Sequence, residues 1–201
     1  ILMRSAKNFS LIILIIIIVL GVLSFYNNDI YNNIHDFLLN RLGWFVLIMY
    51  LINRGSVVTQ AMFYNCDHAM LRYNFYREPD VILGLFKKRL TMLIKINLLP
   101  AIVIAIGSIV LLGITTNGSL VINYIMIPLF IIVLSVFFSV HYLVIYYLLQ
   151  PYNKDLQVKG ISYTFVSFIT LVLTYILSNL VMSSLYFSIL GIVLTVAYII
   201  V

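Results

Sequence analysis

The side chains of this 201-residue chain that are best suited to chemistry lie in one polar stretch, residues 64–90, with the sequence YNCDHAMLRYNFYREPDVILGLFKKRL. Its charged members are Arg72, Arg77, Lys87, Lys88, Arg89, Asp67, Glu78 and Asp80. Cys66, Asp67 and His68 have metal-binding side chains, but neighbours in a helix point in different directions and cannot jointly chelate an ion. The stretch is therefore more typical of a docking surface than of a metal site.

The sequence contains none of the common catalytic motifs. There is no H-E-x-x-H, no G-x-S-x-G and no paired-carboxylate motif in or beside its apolar runs. The phosphate-binding loop G-x-x-x-x-G-K-S/T is missing as well. We therefore expect a protein that is not an enzyme and has no metal or cofactor of its own. Any ATP and Mg²⁺ would belong to a partner subunit.

The composition is that of an integral membrane protein. Hydrophobic residues make up 64% of the chain and charged residues 9%, whereas soluble domains carry about a quarter charged residues. In such a chain the net charge of +6 indicates topology and contact with anionic lipid, not nucleic-acid binding. Abundant Ile, Asn, Tyr and Lys suggests a bacterial source. We therefore predict a multi-pass protein of the bacterial plasma membrane.

Six apolar runs approach the roughly 20 residues needed to cross a bilayer. They predict an all-α transmembrane domain over residues 1–201, with spans at residues 9–25, 42–63, 90–114, 120–149, 160–180 and 184–201. Basic residues precede the first span and recur in the second and fourth connections, while the other connections lack a basic excess. This alternation predicts that both termini are cytoplasmic, and that the helical segment 64–89 between spans two and three is cytoplasmic too.

The cytoplasmic segment is predicted to form two helices, because proline disfavours helix at the residue before it and is tolerated at a helix start. The first would cover residues 64–77 and the second, amphipathic one residues 79–89. We predict that a partner docks on Arg72, Tyr73, Phe75, Tyr76, Arg77 and Glu78, since aromatic and arginine side chains commonly anchor interfaces. An interfacial hairpin that serves only as an anchor is the alternative.

Polar residues also occur within the second span. Arg54 is placed about 18 Å along that helix, and Asn53, Ser56, Thr59 and Gln60 accompany it. Ionisable groups in spans are costly, so these five residues are candidates for lining a translocation pathway. The alternative for Arg54 is a side chain that extends to the lipid headgroups. His141 lies beside several tyrosines near one end of the fourth span, a pattern typical of an interfacial aromatic belt.

Six spans with a cytoplasmic helical segment after the second resemble the membrane subunits of ABC-type exporters, the ABC-2-like permeases, and the 64–90 sequence is similar to Gram-positive members. The resemblance implies that residues 64–89 couple to a separate ABC ATPase and that a second permease copy or a paired permease completes the transporter. Two alternatives remain open. One is a six-span solute-binding subunit of an energy-coupling-factor importer, and the other is a membrane scaffold that transports nothing.

Overall fold

A computed structural model describes residues 2–67, 78–115, 121–152 and 160–200, and these residues are almost entirely helical, with no strand among them. The helices are α1 (Leu2–Tyr26), α2 (Asn28–Asn40), α3 (Gly43–Ile52), α4 (Gly55–Met62), α5 (Pro79–Thr115), α6 (Val121–Leu149), α7 (Ile161–Ser178) and α8 (Ser184–Ile200). A π-helical turn, Phe63–Asp67, follows α4 without a break. The predicted all-α class is therefore confirmed.

Five segments of the described chain are helical, long and apolar enough to cross a membrane, which is compatible with a multi-pass membrane protein. They are α1, the α3–α4 segment with its π-helical turn, α5, α6 and α7, and each contains most of a predicted span. The sixth predicted span corresponds to α8, an apolar helix of 17 residues. The number of spans and the cytoplasmic position of the termini remain predictions.

Helix α2 lies in the connection between the first two spans, where the sequence analysis placed no helix. The Asn27 side chain caps it, accepting hydrogen bonds from the backbone N–H groups of Asp29 (2.8 Å) and Ile30 (3.4 Å). Its apolar residues Ile30, Ile34, Phe37 and Leu38 recur at helical spacing, and Leu38 is buried in the main core. The connection is thus an amphipathic helix that packs on the bundle.

Helix α5 begins at Pro79, as predicted, but it continues through Leu90 to Thr115 as one helix of 37 residues. The bond from Ile82 N to Glu78 O (3.1 Å) starts the helix. Residues 79–89 and the third span therefore form one rod of about 55 Å at 1.5 Å per residue. Arg89, which was expected at the exposed end of an interfacial helix, lies inside this rod instead.

The core lies between α5, α6 and α3. Its least exposed large side chains include Leu112, Ile127, Phe130, Ile131 and Phe138. The other helices pack around this centre, α1 against α5, α8 against α6, and α7 against α3. Most side chains of α1 and α7 are exposed, as expected for helices whose outer faces meet lipid rather than protein.

Gly43, the first residue of α3, lies in close contact with the backbone of α7. A Cβ atom at this position would collide with the carbonyl group of Leu177, which is backbone and cannot swing away. Gly84, in contrast, lies in α5 with nothing within 4 Å of an added Cβ. Packing therefore requires glycine at position 43 but not at position 84.

We expect Gly43→Ala to lower the stability of the folded chain by about 1–3 kcal/mol, the usual effect of overpacking. Gly84→Ala should be neutral or stabilising by up to about 1 kcal/mol, because alanine favours helix. Thermal unfolding of both variants in the same detergent, followed by size-exclusion chromatography, measures the difference. Equal melting temperatures for the two variants would contradict the predicted α3–α7 contact.

Candidate functional site

The site is centred on a buried ion pair between Asp67, at the end of the π-helical turn, and Arg89 of α5. Arg89 Nη2 donates a hydrogen bond to Asp67 Oδ1, and the two side chains are only 8% and 3% exposed. Two charges removed from water are stable only when further hydrogen bonds compensate for the lost hydration. The surrounding residues supply such bonds.

Two adjacent tyrosines of α6 complete the ion pair. The Tyr146 hydroxyl donates to Asp67 Oδ2, and Arg89 Nη1 donates to the Tyr147 hydroxyl at 2.8 Å. The guanidinium carbon of Arg89 also lies 5.6 Å from the centre of the Tyr147 ring. Both carboxylate oxygens and two guanidinium nitrogens are thereby engaged. We call Asp67, Arg89, Tyr146 and Tyr147 the ionic clamp, because they join three segments of the chain.

The π-helical turn helps to bring Asp67 into the clamp. Its wider winding is held by local side-chain bonds, from Gln60 Nε2 to the Tyr64 hydroxyl (2.7 Å) and from Asn65 Nδ2 to Ala61 O (2.7 Å). The Phe63 ring lies 5.4 Å from that of Tyr152. Single π turns are rare and often occur at functional sites.

The second predicted span is interrupted at Asn53 and Arg54, and the short helix α4 separates this break from the clamp. Asn53 leaves the helical conformation (φ −58°, ψ 130°), and α4 begins anew after Arg54. The Asn53 side chain accepts a hydrogen bond from Gly55 N (2.6 Å), which satisfies one N–H group at the new helix start. An added Cβ on Gly55 would lie 2.5 Å from Tyr142 Cβ, so only glycine lets α4 approach α6 this closely.

A buried polar chain supports the break from the side of α5 and α6. Asn97 Oδ1 accepts a hydrogen bond from Arg54 N (3.0 Å), and Asn97 Nδ2 donates to Ser139 Oγ (2.9 Å). Ser139 in turn donates to Ser135 O (2.7 Å). Asn97 and Ser139 are almost fully buried. The interrupted backbone is therefore satisfied by protein, as irregular backbone at membrane depth requires.

The five predicted pathway residues do not share one environment. Asn53 and Arg54 are half-buried at the break, and the Arg54 guanidinium lies 5.0 Å from the centre of the Phe9 ring of α1. Thr59 is buried and Ser56 O is its hydrogen-bond acceptor (3.0 Å). Gln60 bonds Tyr64. Their role in a pathway stays a prediction.

Tyr152, just beyond α6, contacts the start of α4. Its hydroxyl donates to Ser56 O at 3.2 Å, so it joins the start of α4 to the connection after α6. Burial raises the pKa of Tyr152 above its ordinary value, which is itself well above neutral pH, so the hydroxyl is protonated and can donate. The contact was not predicted, since the tyrosine is 96 residues from Ser56 in the sequence.

Five of the six predicted docking residues, Arg72, Tyr73, Phe75, Tyr76 and Arg77, lie outside the described residues. Glu78 is described and is exposed at the bend before Pro79. The clamp holds the two positions that flank this part of the chain, Asp67 before it and Arg89 after it. This pairing was not predicted, because the two residues are 22 positions apart and no local sequence pattern links them.

His141 of α6 bonds to two other helices. Its Nε2 lies 3.0 Å from Thr170 Oγ1 of α7 and its Nδ1 lies 2.9 Å from the Tyr198 hydroxyl of α8. Thr170 donates its proton to Val166 O (2.9 Å), so it accepts from His141, which places the imidazole proton on Nε2. Tyr198 then donates to Nδ1. The histidine therefore links α6 to α7 and α8, and the predicted aromatic belt stays a prediction.

In the part of the chain that the structure describes, no three His, Cys, Asp or Glu side chains are grouped as a metal site would require. The expected absence of a metal or cofactor remains a prediction. What the arrangement can do is mechanical. The short helix α4 lies between non-helical backbone at one end and the charged clamp at the other.

We expect Asp67→Leu to destabilise the chain by about 3–5 kcal/mol, because it removes the carboxylate from a buried arginine. The double variant Asp67→Leu/Arg89→Leu should recover part of that loss, since no buried charge remains. Asp36→Leu is the matched control. It breaks the Asp36–Arg41 pair, whose side chains are about half exposed, and should lower the stability far less, because water screens exposed charges. Thermal unfolding in detergent compares the three, and equal losses in the two single variants would contradict the buried clamp.

A scan of the sequence against protein-family models finds no match, and neither do searches of the curated proteins or of the solved structures. We therefore infer function from the chain's own residues, above all from the clamp, the broken second span and the long α5 helix.

Proposed function

We propose that the chain is the membrane permease subunit of an ATP-driven exporter of the ABC type, in which a separate cytoplasmic ATPase docks on residues 64–89. The ionic clamp is the observation that carries this proposal. It fastens both flanks of the docking segment to each other and to α6. A force applied to that segment would therefore reach three helical segments at once.

The geometry also supplies a place that can yield under such a force. Between the break at Asn53 and the clamp at Asp67 lie only α4 and the π-helical turn, about 20 Å of helix at 1.5 Å per residue. The segment is anchored at one end by charges and interrupted at the other by non-helical backbone. In the proposed permease it acts as a lever, with residues 53 and 54 as its hinge. Broken helices near the bilayer midplane are also a recurring feature of secondary transporters.

In this proposal the protein lies in the bacterial plasma membrane. Both termini and the clamp are on its cytoplasmic side, and α2 lies on the external side. A second permease copy or a paired permease completes the pathway, and ATP and Mg²⁺ are bound by the ATPase. The chain itself supplies no catalytic group. The predicted pathway residues Asn53, Arg54, Ser56, Thr59 and Gln60 all belong to the hinge and the lever, so lever motion would change their surroundings.

Docking is tested by reversing charge in the segment. We expect Arg72→Glu/Arg77→Glu to abolish co-purification with an ATPase that contains a phosphate-binding loop, because the two arginines are predicted interface anchors. Lys154→Glu/Lys159→Glu is the matched control, since it reverses two charges in the other predicted cytoplasmic connection. Native membranes that express each tagged variant are solubilised, and the bound ATPase is identified and assayed. Normal ATPase recovery with the arginine variant would contradict docking at this segment.

Transmission through the clamp is tested separately. The double variant Asp67→Leu/Arg89→Leu should still bind the ATPase, but its stimulation of ATP hydrolysis in proteoliposomes should fall at least fivefold. Asp36→Leu/Arg41→Leu removes an exposed pair of the same two residue types and should behave like the unaltered chain. Full stimulation with the clamp variant would show that the force takes another route. Tight binding of a small solute by the chain, with no ATPase recovered, would favour the importer subunit instead.

A further inference from the structure

Helices α1 and α5 lie side by side and run parallel. An added Cβ on Gly107 of α5 would collide with Ile17 of α1, and an added Cβ on Gly21 of α1 would lie 3.9 Å from Leu111 of α5. Position 17 thus meets position 107, and position 21 meets position 111. Residues of α1 are therefore level with residues of α5 whose numbers are about 90 higher.

Two apolar grooves flank this contact. The larger, of about 590 Å³, lies between α1, α3 and α5, and residues 104–111 of α5 contribute one of its walls. The smaller, of about 370 Å³, is lined by α1 and α5 alone. Ile17 and Gly107 line both grooves, so the grooves lie on two sides of the contact. We call the smaller one the α1–α5 groove.

Two basic residues of α1 lie on the same face of that helix as this groove. Lys7 is seven residues before Leu14 and eighteen before Phe25, both of which line the groove. Arg4 is eighteen residues before Val22, another lining residue. Seven residues make about two turns of an α-helix and eighteen make about five, so these side chains start from the groove face.

Lys95 of α5 belongs to the same side of the helix pair. It is eleven residues, or about three turns, before Ile106, which lines the groove. The register makes Lys95 level with residues 4–7 of α1, in agreement with the core cluster that Ala6 shares with Ile96. Packed helices have axes about 8–10 Å apart, so long basic side chains from both helices can reach one group between them.

We call Arg4, Lys7 and Lys95 the basic cluster. All three are exposed, and among the described residues none of them forms an ion pair with a carboxylate. The acidic residue of α5, Asp80, is fifteen residues from Lys95, about 22 Å along the helix. Lys95 also lies about 8 Å inside the predicted third span, where a cation is costly unless it meets water or an opposite charge. The cluster is therefore suited to an anion.

The groove selects the kind of anion. Its first residues, Leu14 and Val103, are seven and eight residues beyond Lys7 and Lys95, a distance of about 10–12 Å at 1.5 Å per residue. A phospholipid tail reaches about 15 Å, half the thickness of the hydrocarbon core. A lipid with its phosphate at the cluster would therefore place the end of a tail in the near end of the groove. A water-soluble anion would contact the cluster alone.

We propose that the basic cluster and the near end of the α1–α5 groove bind one anionic phospholipid, with its phosphate between Lys7 and Lys95 and a tail beside Leu14 and Val103. In the orientation proposed above, this lipid belongs to the inner leaflet. Binding does not depend on an ATPase, because it is measured on this chain alone. It differs from the general attraction of a basic chain to anionic lipid in that particular residues hold the phosphate.

Native mass spectrometry of the full chain in detergent counts the lipids that stay bound as dioleoylphosphatidylglycerol or dioleoylphosphatidylcholine is added. We expect one phosphatidylglycerol to bind at a concentration about tenfold lower than phosphatidylcholine requires, because only its charge is unbalanced. Glycerophosphoglycerol, the same head group without tails, should not displace it. Equal affinity for the two lipids would overturn selection by charge, and displacement by the tail-free head group would overturn the role of the groove.

Charge variants locate the phosphate. Lys7→Gln/Lys95→Gln should raise the half-saturating phosphatidylglycerol concentration by about tenfold or more, because each basic side chain beside an anionic head group contributes a factor of about five. Lys7→Arg/Lys95→Arg keeps both charges and should bind like the unaltered chain. Lys87→Gln/Lys154→Gln removes two charges elsewhere and is the matched control. Unchanged binding by the first variant, or an equal loss in the control, would refute this location.

A bulky side chain in the groove tests the tail. Leu14→Trp fills the near end and should raise the half-saturating concentration at least threefold, whereas Ile15→Trp, an exposed neighbour outside the groove, should not. Val103→Trp is a second groove-filling variant in case the first misfolds, which thermal unfolding in detergent would reveal. Normal binding by a folded groove-filling variant would contradict a tail in the groove.

Discussion

The ionic clamp is the interaction on which one whole end of the structure depends. Asp67 and Arg89 are nearly inaccessible to water, so their charges are tolerated only because each balances the other and Tyr146 and Tyr147 complete their hydrogen bonds. The pairing fixes where the second span ends and which side of α5 faces inward. It also joins α6 to the end of the second span and to α5. The two ends of the stretch 68–88 are therefore held at one point.

The second predicted span consists of two helices that pack on different neighbours. Its first half, α3, is fixed to α7 at Gly43, where backbone meets backbone. Its second half, α4, packs on α6 through Gly55 and Tyr142. Non-helical backbone at Asn53 separates them, so no continuous helix joins the two halves. In the proposed permease, this division lets α4 move while α3 stays with α7.

The sequence predicted what depends on local pattern and missed what depends on distant contacts. Apolar runs located the long helices, and Pro79 marked the start of α5. The break at Asn53 was hidden because the apolar pattern continues on both sides of it, although Gly55 so close to two polar residues was a usable signal. The spacing of Ile30, Ile34, Phe37 and Leu38 could have revealed α2. The clamp could not be predicted, since its pairing depends on a π-helical turn and on the unbroken register of α5.

Helix α5 connects the features at both ends, because Arg89, Asn97 and the groove-lining residues 104–111 follow one another along about 33 Å of a single helix. The polar contacts that join α5 to other segments differ in strength. A neutral hydrogen bond such as that from Arg54 N to Asn97 contributes about 1 kcal/mol, whereas breaking a buried ion pair costs several times more. In the proposed permease, the hydrogen bond at the hinge would therefore break before the clamp. In the proposed permease, the lever would swing at Asn53 while Arg89 pulls α5, and with it one wall of the groove.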